Sequence, residues 1–360
     1  MCACLFPLAL RPMAVPAAEA AAAAPVVRAV GTQLKLGRHP FRVYGFNYEF
    51  NGSHPNIDYI DDPDREHLLR MRTDFATAAR LGANTVRVFL ELHDFMAAPK
   101  RTRPRALRAF RAILREAERA RLLVDVTGNL VWHPDRSPAW YEALTERGRW
   151  RVQARFWRAV AAVGARSRAV LCYELTSEPA IGDSDDWYGG VLIHHYVQYV
   201  VREPGTRDGP ALARAWTRML RDAIRSRDRR HMVTIGLLPI RGWAFDPRYV
   251  ADLLDLVTIH EYPRPGDAGE ALSLIRYFAS HGRPLMLGET FMFDRAAQES
   301  LLVEGRRWLD GSLSFFDGRA PEDVRIGDDV IDSLYRENLI TYLGLRATLG
   351  ASPRIPTRAE

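Results

Sequence analysis

Two glutamates stand directly after short apolar runs and are the residues of this chain best placed for paired-carboxylate chemistry. Glu178 follows the run at 170–175 and Glu289 follows the run at 284–287, and a polar, helix-like stretch precedes each run. Such runs are typical of buried parallel strands, so each strand would present a carboxylate at its C-terminal end. Two acids on different strands can converge on one cleft.

Retaining cleavage of a glycosidic bond requires this arrangement. One carboxyl group protonates the leaving oxygen, and a second carboxylate attacks the anomeric carbon from the opposite face. The nucleophile must stay ionised, which nearby cationic and hydroxyl donors favour. Arg87, late on a second apolar run, and Tyr262, just beyond a sixth, are positioned to supply those donors.

Strand alternation predicts a second buried carboxylate below Glu178. Glu174, Thr176 and Glu178 share one face if the strand continues regularly, which places Glu174 inside the protein. A buried carboxylate needs a cationic partner or a proton. Arg87 is the expected partner of Glu174.

The elements that must position these residues alternate between apolar runs and amphipathic segments. Eight strand candidates lie at 42–47, 85–89, 122–126, 170–175, 232–236, 256–260, 284–287 and 312–316. The intervening segments have helical periodicity, weakest around 246–254. This alternation predicts an α/β fold, a (β/α)8 TIM barrel, with an open doubly wound sheet as the alternative. A β-hairpin at 26–37 is expected to close the bottom of the barrel.

The domain prediction is a leader at 1–25, one barrel domain at 26–350 and a C-terminal tail at 351–360. The leader is apolar and alanine-rich and is expected to be an export signal, which would make the protein secreted or periplasmic; otherwise a cytoplasmic location is expected. No stretch of the body approaches the roughly 18 apolar residues of a membrane span.

Composition argues against a polyanion ligand. The net charge is +6 and 48 of the 50 basic residues are arginine, but they are interleaved with 44 acidic residues along the chain. A nucleic-acid site would concentrate the charge on one face. Cys172 is the one cysteine outside the leader, so no disulfide is expected within the body.

Five segments carry a resemblance to a known family. They are Gly-Phe-Asn-Tyr at 45–48, Gly-Ala-Asn-Thr-Val-Arg-Val at 82–88, Tyr-Glu-Leu-Thr-Ser-Glu-Pro at 173–179, Val-Thr-Ile-His-Glu-Tyr-Pro at 257–263 and Leu-Gly-Glu-Thr-Phe at 287–291. Their order resembles glycoside hydrolase family 5, the cellulase and mannanase family of retaining barrels. The resemblance implies that Glu178 is the acid/base and Glu289 the nucleophile, with no metal or cofactor.

Substrate binding is predicted for a further set. The resemblance assigns a sugar-binding role to the histidine that ends the sixth strand, and aromatic rings in mouth loops cover the flat faces of sugars. The set comprises Arg87, Ser177, His260, Tyr262, Asn47, His133, Trp132, Trp187 and Phe316.

Two positions depart from the family pattern. The family has asparagine immediately before its acid/base, where this chain has Ser177, and a tryptophan on its eighth strand, where Phe315 or Phe316 must substitute. The prediction is a retaining β-glycosidase acting on a β-linked glucan or mannan. A sugar-binding barrel that has lost efficient catalysis and a transglycosylase using the same two glutamates are the alternatives.

Overall fold

A computed structural model describes residues 26–49, 54–132, 137–184, 188–189, 197–325 and 330–355. The expected export signal lies outside the described residues, as do His133 and Trp187.

Eight parallel strands close into a barrel, which confirms the predicted fold class. In order around the barrel, each pairing with the next and the last with the first, they are β4 (Val43–Asn47), β5 (Thr85–Glu91), β8 (Leu123–Asn129), β9 (Val170–Ser177), β13 (Met232–Leu237), β14 (Val257–His260), β15 (Leu285–Glu289) and β16 (Gly311–Phe315). Every predicted strand is present. Several extend further at their C-terminal ends than the apolar runs, because polar residues there point into the barrel mouth instead of ending the strand.

Helices cover the outside of the barrel. They are α1 (Pro55–Asp61), α2 (Arg65–Arg80), α3 (Leu92–Phe95), α4 (Pro104–Ala120), α5 (Ala139–Glu142), α6 (Glu146–Gly164), α7 (Gly209–Arg225), α8 (Pro247–Val250), α9 (Ala268–Ala279), α10 (Arg295–Gly305), α11 (Val330–Gly344) and α12 (Arg346–Leu349). The connection with the weakest periodicity contains only α8 and a 3₁₀ turn at Ala251–Leu253.

The helix α4 shows why these segments fold as they do. Proline occupies its first turn, where a missing N–H costs nothing, and Arg121 ends it in the left-handed conformation, with φ of 60°. Its apolar stripe, which includes Phe110, Ile113 and Leu114, is buried against the barrel. The arginines of α4 lie on the opposite face, so the amphipathic pattern fixes which side packs.

The N-terminal strands close the bottom of the barrel, as predicted. β1 (Val27–Val30), β2 (Gln33–Leu36) and β3 (His39–Pro40) form an antiparallel sheet. Leu34 packs into a buried cluster with Leu123, Leu171 and Met286, which lie near the N-terminal ends of three barrel strands. The start of the C-terminal tail packs nearby, where Ser352 Oγ accepts a hydrogen bond from the Arg42 amide at 2.8 Å.

The longer connections between strands and helices lie at the opposite end of the barrel. β6 (Met96–Ala98) and β7 (Arg101–Thr102) form a small hairpin, and β10 (Pro179–Ile181), β12 (Val197–Val201) and β11 (Tyr188–Gly189) form a sheet after the fourth barrel strand. Among the described residues, no helix has the length and apolar character needed to cross a membrane.

Candidate active site

The two strands that carry the glutamates are irregular at their C-terminal ends. Against β13, Thr234 pairs with Glu174 and Gly236 pairs with Ser177, so β9 contains one extra residue. Against β14, the register of β15 shifts between Leu287 and Glu289. Bulges of this kind re-aim side chains near active sites. Here they turn both glutamates toward one mouth.

Glu289 is held by two donors. The Arg87 guanidinium donates to Oε1, and the Tyr262 hydroxyl donates to Oε2 at 2.5 Å. Burial alone would raise the pKa of this carboxyl, but the positive charges of His260 and Arg87, together with these hydrogen bonds, lower its pKa to about 2. Glu289 is therefore ionised at neutral pH and fixed at both oxygens.

Arg87 lies wholly inside the barrel, one layer below the mouth. Besides Glu289, it donates to Glu174 Oε1 at 2.5 Å and to Thr127 Oγ1 at 2.8 Å. The predicted pairing of Arg87 with a buried Glu174 is confirmed. Arg87 is fully buried and engaged by the protein, so it orients the carboxylate that faces the mouth, and its role in substrate binding stays a prediction.

Asn47, which was also predicted to bind substrate, is buried and hydrogen-bonded within the protein. Its Oδ1 accepts a hydrogen bond from Arg87 at 2.9 Å, and its Nδ2 donates to the carbonyls of Gly288 and Ser314 at 3.1 Å each. Both amide protons are used, so none remains for a sugar. Asn47 fixes Arg87 and ties β4 to β15 and β16.

A third carboxyl lies below this network. Asp125 is fully buried and accepts a hydrogen bond from the Cys172 thiol at 3.2 Å. Burial, and then the charge of Glu174, raise the pKa of Asp125 to about 7. One arginine thus pairs with the carboxyl groups of Glu174 and Glu289, and the third carboxyl can hold a proton near neutrality.

Glu178 follows β9 in a left-handed backbone conformation, with φ of 48°. A residue with a β-carbon adopts this conformation at a cost, and such strain concentrates at functional sites. Its carboxylate oxygen Oε1 lies 2.8 Å from His260 Nδ1, and the same nitrogen lies 3.5 Å from Glu289 Oε2. Ligand atoms of the three side chains all lie within 4.8 Å of one another.

His260 therefore sits between the two glutamates. Burial alone would lower the pKa of this histidine, but the charge of Glu289 and the hydrogen bond to Glu178 raise it. Its Nε2 is buried and has no hydrogen-bond partner among the described residues. Nδ1 is thus the ring nitrogen through which His260 interacts with both glutamates.

Gly236 is a feature that sequence reasoning missed. A β-carbon at this position would lie 2.7 Å from Glu174 Oε1 and 2.8 Å from His260 Nε2. Both of those side chains are buried and held by other partners, so neither can move aside freely. Only glycine lets β13 pass this close to the charged network.

Gln198 was also missed, because it lies outside every predicted strand. Its backbone N–H donates to the Glu178 carbonyl at 3.0 Å, and its side-chain Nε2 donates to the Ser177 carbonyl at 2.8 Å. Its Oε1 accepts from the Leu130 amide at 2.8 Å. Gln198 on β12 thus holds the strained turn at Glu178. Ser177, predicted to bind substrate, lies half-buried next to Glu178 at the end of β9.

Two of the aromatic residues predicted to bind substrate are buried in packing contacts. Phe316 is fully buried and stacks on Phe46 in the core, whereas Phe315 lies toward the mouth, 6.3 Å from the Tyr262 ring. Neighbouring residues of a strand face opposite sides, so Phe315 and not Phe316 faces the mouth. Trp132 is 3% exposed and packs against Trp140 instead of presenting a free face.

A different ring is exposed beside the glutamates. Phe293 is 53% exposed and lies 6.2 Å from the Tyr262 ring and 5.6 Å from the Phe291 ring. A large exposed ring in such a cluster is a candidate platform for the flat face of a ligand. Its position in a loop just beyond the seventh strand was the available sequence signal.

Solved structures with the same fold were found. A variant of GH5_18 from Streptomyces cattleya in complex with Manβ1-4GlcNAc superposes with a TM-score of 0.63 at 18% identity, covering 88% of this chain and 83% of that chain. An exo-β-1,4-mannosidase from Opitutaceae bacterium strain TAV5 gives 0.62 at 17% identity, with 86% and 59% coverage. A β-mannanase from Streptomyces thermolilacinus with mannohexaose gives 0.54 at 20% identity, with 92% and 97% coverage.

No family model matches the sequence, and no protein of curated function matches it. At these identities the likeness to solved structures is one of fold. The chain has the (β/α)8 barrel fold of these glycoside hydrolases.

Proposed function

We propose that this protein is a retaining β-glycosidase that hydrolyses a β-linked glycan of the mannan type, with Glu289 as nucleophile and Glu178 as acid/base. The observation that carries the proposal is the pair itself. An ionised carboxylate, fixed at both oxygens, faces a second carboxyl group, and one oxygen of each lies within 4.8 Å of the other. Retaining enzymes hold their carboxyl groups roughly 5–5.5 Å apart, whereas inverting enzymes need roughly 6.5–9.5 Å.

In the first step, a Glu289 oxygen attacks the anomeric carbon and the bond to the leaving oxygen breaks. The proton of the Glu178 carboxyl passes to that oxygen, which leaves as an alcohol. Arg87 and Tyr262 keep Glu289 aligned and ionised before attack. The product of this step is a glycosyl ester on Glu289, and Glu178 is then a carboxylate.

In the second step, a water molecule attacks the anomeric carbon of the ester. Glu178 accepts a proton from that water, and Glu289 leaves as a carboxylate, so both groups return to their starting states. His260 contacts both carboxylates and is placed to stabilise whichever of them carries the charge. The charged network supports catalysis over simple sugar binding, because binding alone does not require a buried, ionised carboxylate at the base of the cleft.

The choice of a mannan-type substrate has a separate support. The neighbours in fold include an exo-β-1,4-mannosidase and a β-mannanase with mannohexaose. Ser177 replaces the asparagine expected next to the acid/base, and this residue would lie near position two of the sugar, where mannose and glucose differ.

A mechanism-based label tests the proposal. An aryl 2-deoxy-2-fluoro-β-mannoside should add one fluoromannosyl group to the protein, and peptide mass spectrometry should place it on Glu289. Glu289→Ala should abolish labelling, whereas Glu304→Ala, which removes an exposed carboxylate on α10, should not. Labelling elsewhere, or sugar binding without labelling or turnover across mannosides and glucosides, would overturn it. Transfer of the sugar to added alcohols in preference to water would identify a transglycosylase.

A further inference from the structure

A second cluster of potential ligands lies at the rim of the barrel, separate from the two catalytic candidates. It comprises Asp61 at the end of α1, with His93 and Asp94 in α3. One ligand atom from each lies within 4.8 Å of the other two. The His93 Nε2 to Asp94 Oδ1 distance is 3.0 Å, which suits a direct hydrogen bond and is also short enough for both atoms to bind one ion. The cluster thus combines an imidazole with two carboxylates.

Two buried carboxylate oxygens beside this cluster have no hydrogen-bond donor. Asp94 is 8% exposed, and its Oδ2 has no partner among the described residues. Glu91 is 7% exposed; its Oε1 accepts from Asn129 at 2.8 Å, but its Oε2 is buried without a donor, 3.7 Å from His93 Nδ1. Buried carboxylate oxygens without donors are costly unless a cation neutralises them.

Among the described residues, His93 is the one basic side chain paired with these carboxylates. Within the described part of the chain, no arginine or lysine forms an ion pair with Asp61, Glu91 or Asp94. Asp61 also ends a helix whose last turn has no basic residue, and a carboxylate is unfavourable at that negative end of the helix dipole. Its side chain is hydrogen-bonded to the carboxyl group of Asp94. Two carboxyl groups in contact need a shared proton or a positive charge between them, and a bound cation would supply the charge.

We propose that Asp61, His93 and Asp94 bind a divalent cation, with Glu91 contributing its free oxygen directly or through a water molecule. An imidazole with carboxylates suits Zn²⁺ or Mn²⁺ better than Ca²⁺, which prefers ligand sets made only of oxygens. Exposed Asp61 leaves one side of the site open to solvent. Sequence spacing did not suggest a metal, because Asp61 precedes α2 whereas His93 and Asp94 follow β5.

Such an ion would be structural. It would join α1 to the end of β5, the strand that also carries Arg87, and so would stiffen the rim on that side of the mouth. The proposal stands independently of the glycosidase assignment.

Titration of the chelator-treated full-length protein with ZnCl2, MnCl2 and CaCl2 tests this. We expect one equivalent of Zn²⁺ or Mn²⁺ to bind by calorimetry, and a rise in Tm of about 3–6 °C at a hundredfold excess over Kd. Asp61→Asn and Asp94→Asn should each weaken binding by about tenfold or more. Asp61 is exposed, so its variant keeps the test usable if Asp94→Asn does not fold. Co²⁺ should give a visible absorption band that His93→Gln changes.

Two matched controls locate the ion. Asp62→Asn alters a comparable exposed cluster with Asp64 and His67 and should leave binding unchanged, as should Glu178→Gln in the catalytic cleft. The proposal is overturned if neither Zn²⁺ nor Mn²⁺ binds saturably. It is also overturned if Asp61→Asn and His93→Gln bind as tightly as the parent protein, or if Glu178→Gln abolishes binding, because the ion would then lie between the catalytic glutamates.

Discussion

Replacing Tyr262 by phenylalanine removes one donor from Glu289 and leaves the aromatic ring in place. The lost bond joins a hydroxyl to an ionised carboxylate at 2.5 Å, and hydrogen bonds to charged groups contribute about 1.5–3 kcal/mol. At 1.36 kcal/mol per unit, this raises the pKa of Glu289 by about 1–2 units. Starting from a pKa of about 2, the variant should titrate near pH 3–4.

The pH dependence gives the sign of the effect. In the proposed mechanism attack requires ionised Glu289, so activity is lost as pH falls through its pKa, and the acid limb of kcat/KM should move upward in the variant. On the plateau, kcat/KM should fall about 10–100-fold, because Glu289 Oε2 is no longer fixed for attack. Initial rates on an aryl β-mannoside between pH 3 and 8 measure both the acid limb and the plateau value of kcat/KM.

Tyr277→Phe is the matched control. Tyr277 on α9 also donates its hydroxyl to a carboxylate, that of Asp246, at 2.8 Å, outside the catalytic cluster. Its removal should leave the pH profile unchanged. The reasoning is refuted if Tyr262→Phe keeps kcat/KM within twofold and its acid limb does not move, or if Tyr277→Phe produces the same change.

Three further substitutions have defined outcomes. Gly236→Ala should displace Glu174 or His260, which would lower kcat/KM about 10²-fold and the free energy of unfolding by about 1–3 kcal/mol. Steady-state kinetics would measure the first effect and a melt followed by circular dichroism the second. Full activity of the variant would contradict the close contact at Gly236. Phe293→Ala should raise KM about 2–10-fold at nearly constant kcat and Tm, because the ring is exposed, and an unchanged KM would exclude it as a sugar platform. Ser177→Asn should lower kcat/KM on the true substrate through a clash at position two, and an increase would instead indicate a restored hydrogen bond to the sugar.

Local sequence determined the strand count, the helix faces and the two carboxylates. Strands and amphipathic helices have short periods, so residues close in sequence reveal which side of each element is buried. Glu178 and Glu289 were identifiable because the C-terminal ends of parallel strands all meet at one mouth. The partnership of Arg87 with Glu174 followed from alternation and from the cost of an unpaired buried charge.

Tertiary structure decided what depends on register and closure. The bulges in β9 and β15, the left-handed turn at Glu178 and the packing of Gly236 arise only when neighbouring strands pair. The orientation of Phe315 toward the mouth and of Phe316 toward the core has the same origin, because shifting a strand by one residue exchanges its two faces. Gln198 acts from a separate sheet, so its contacts cannot be read from local periodicity. Sequence located the charges, and barrel closure set the distances at which they act on one another.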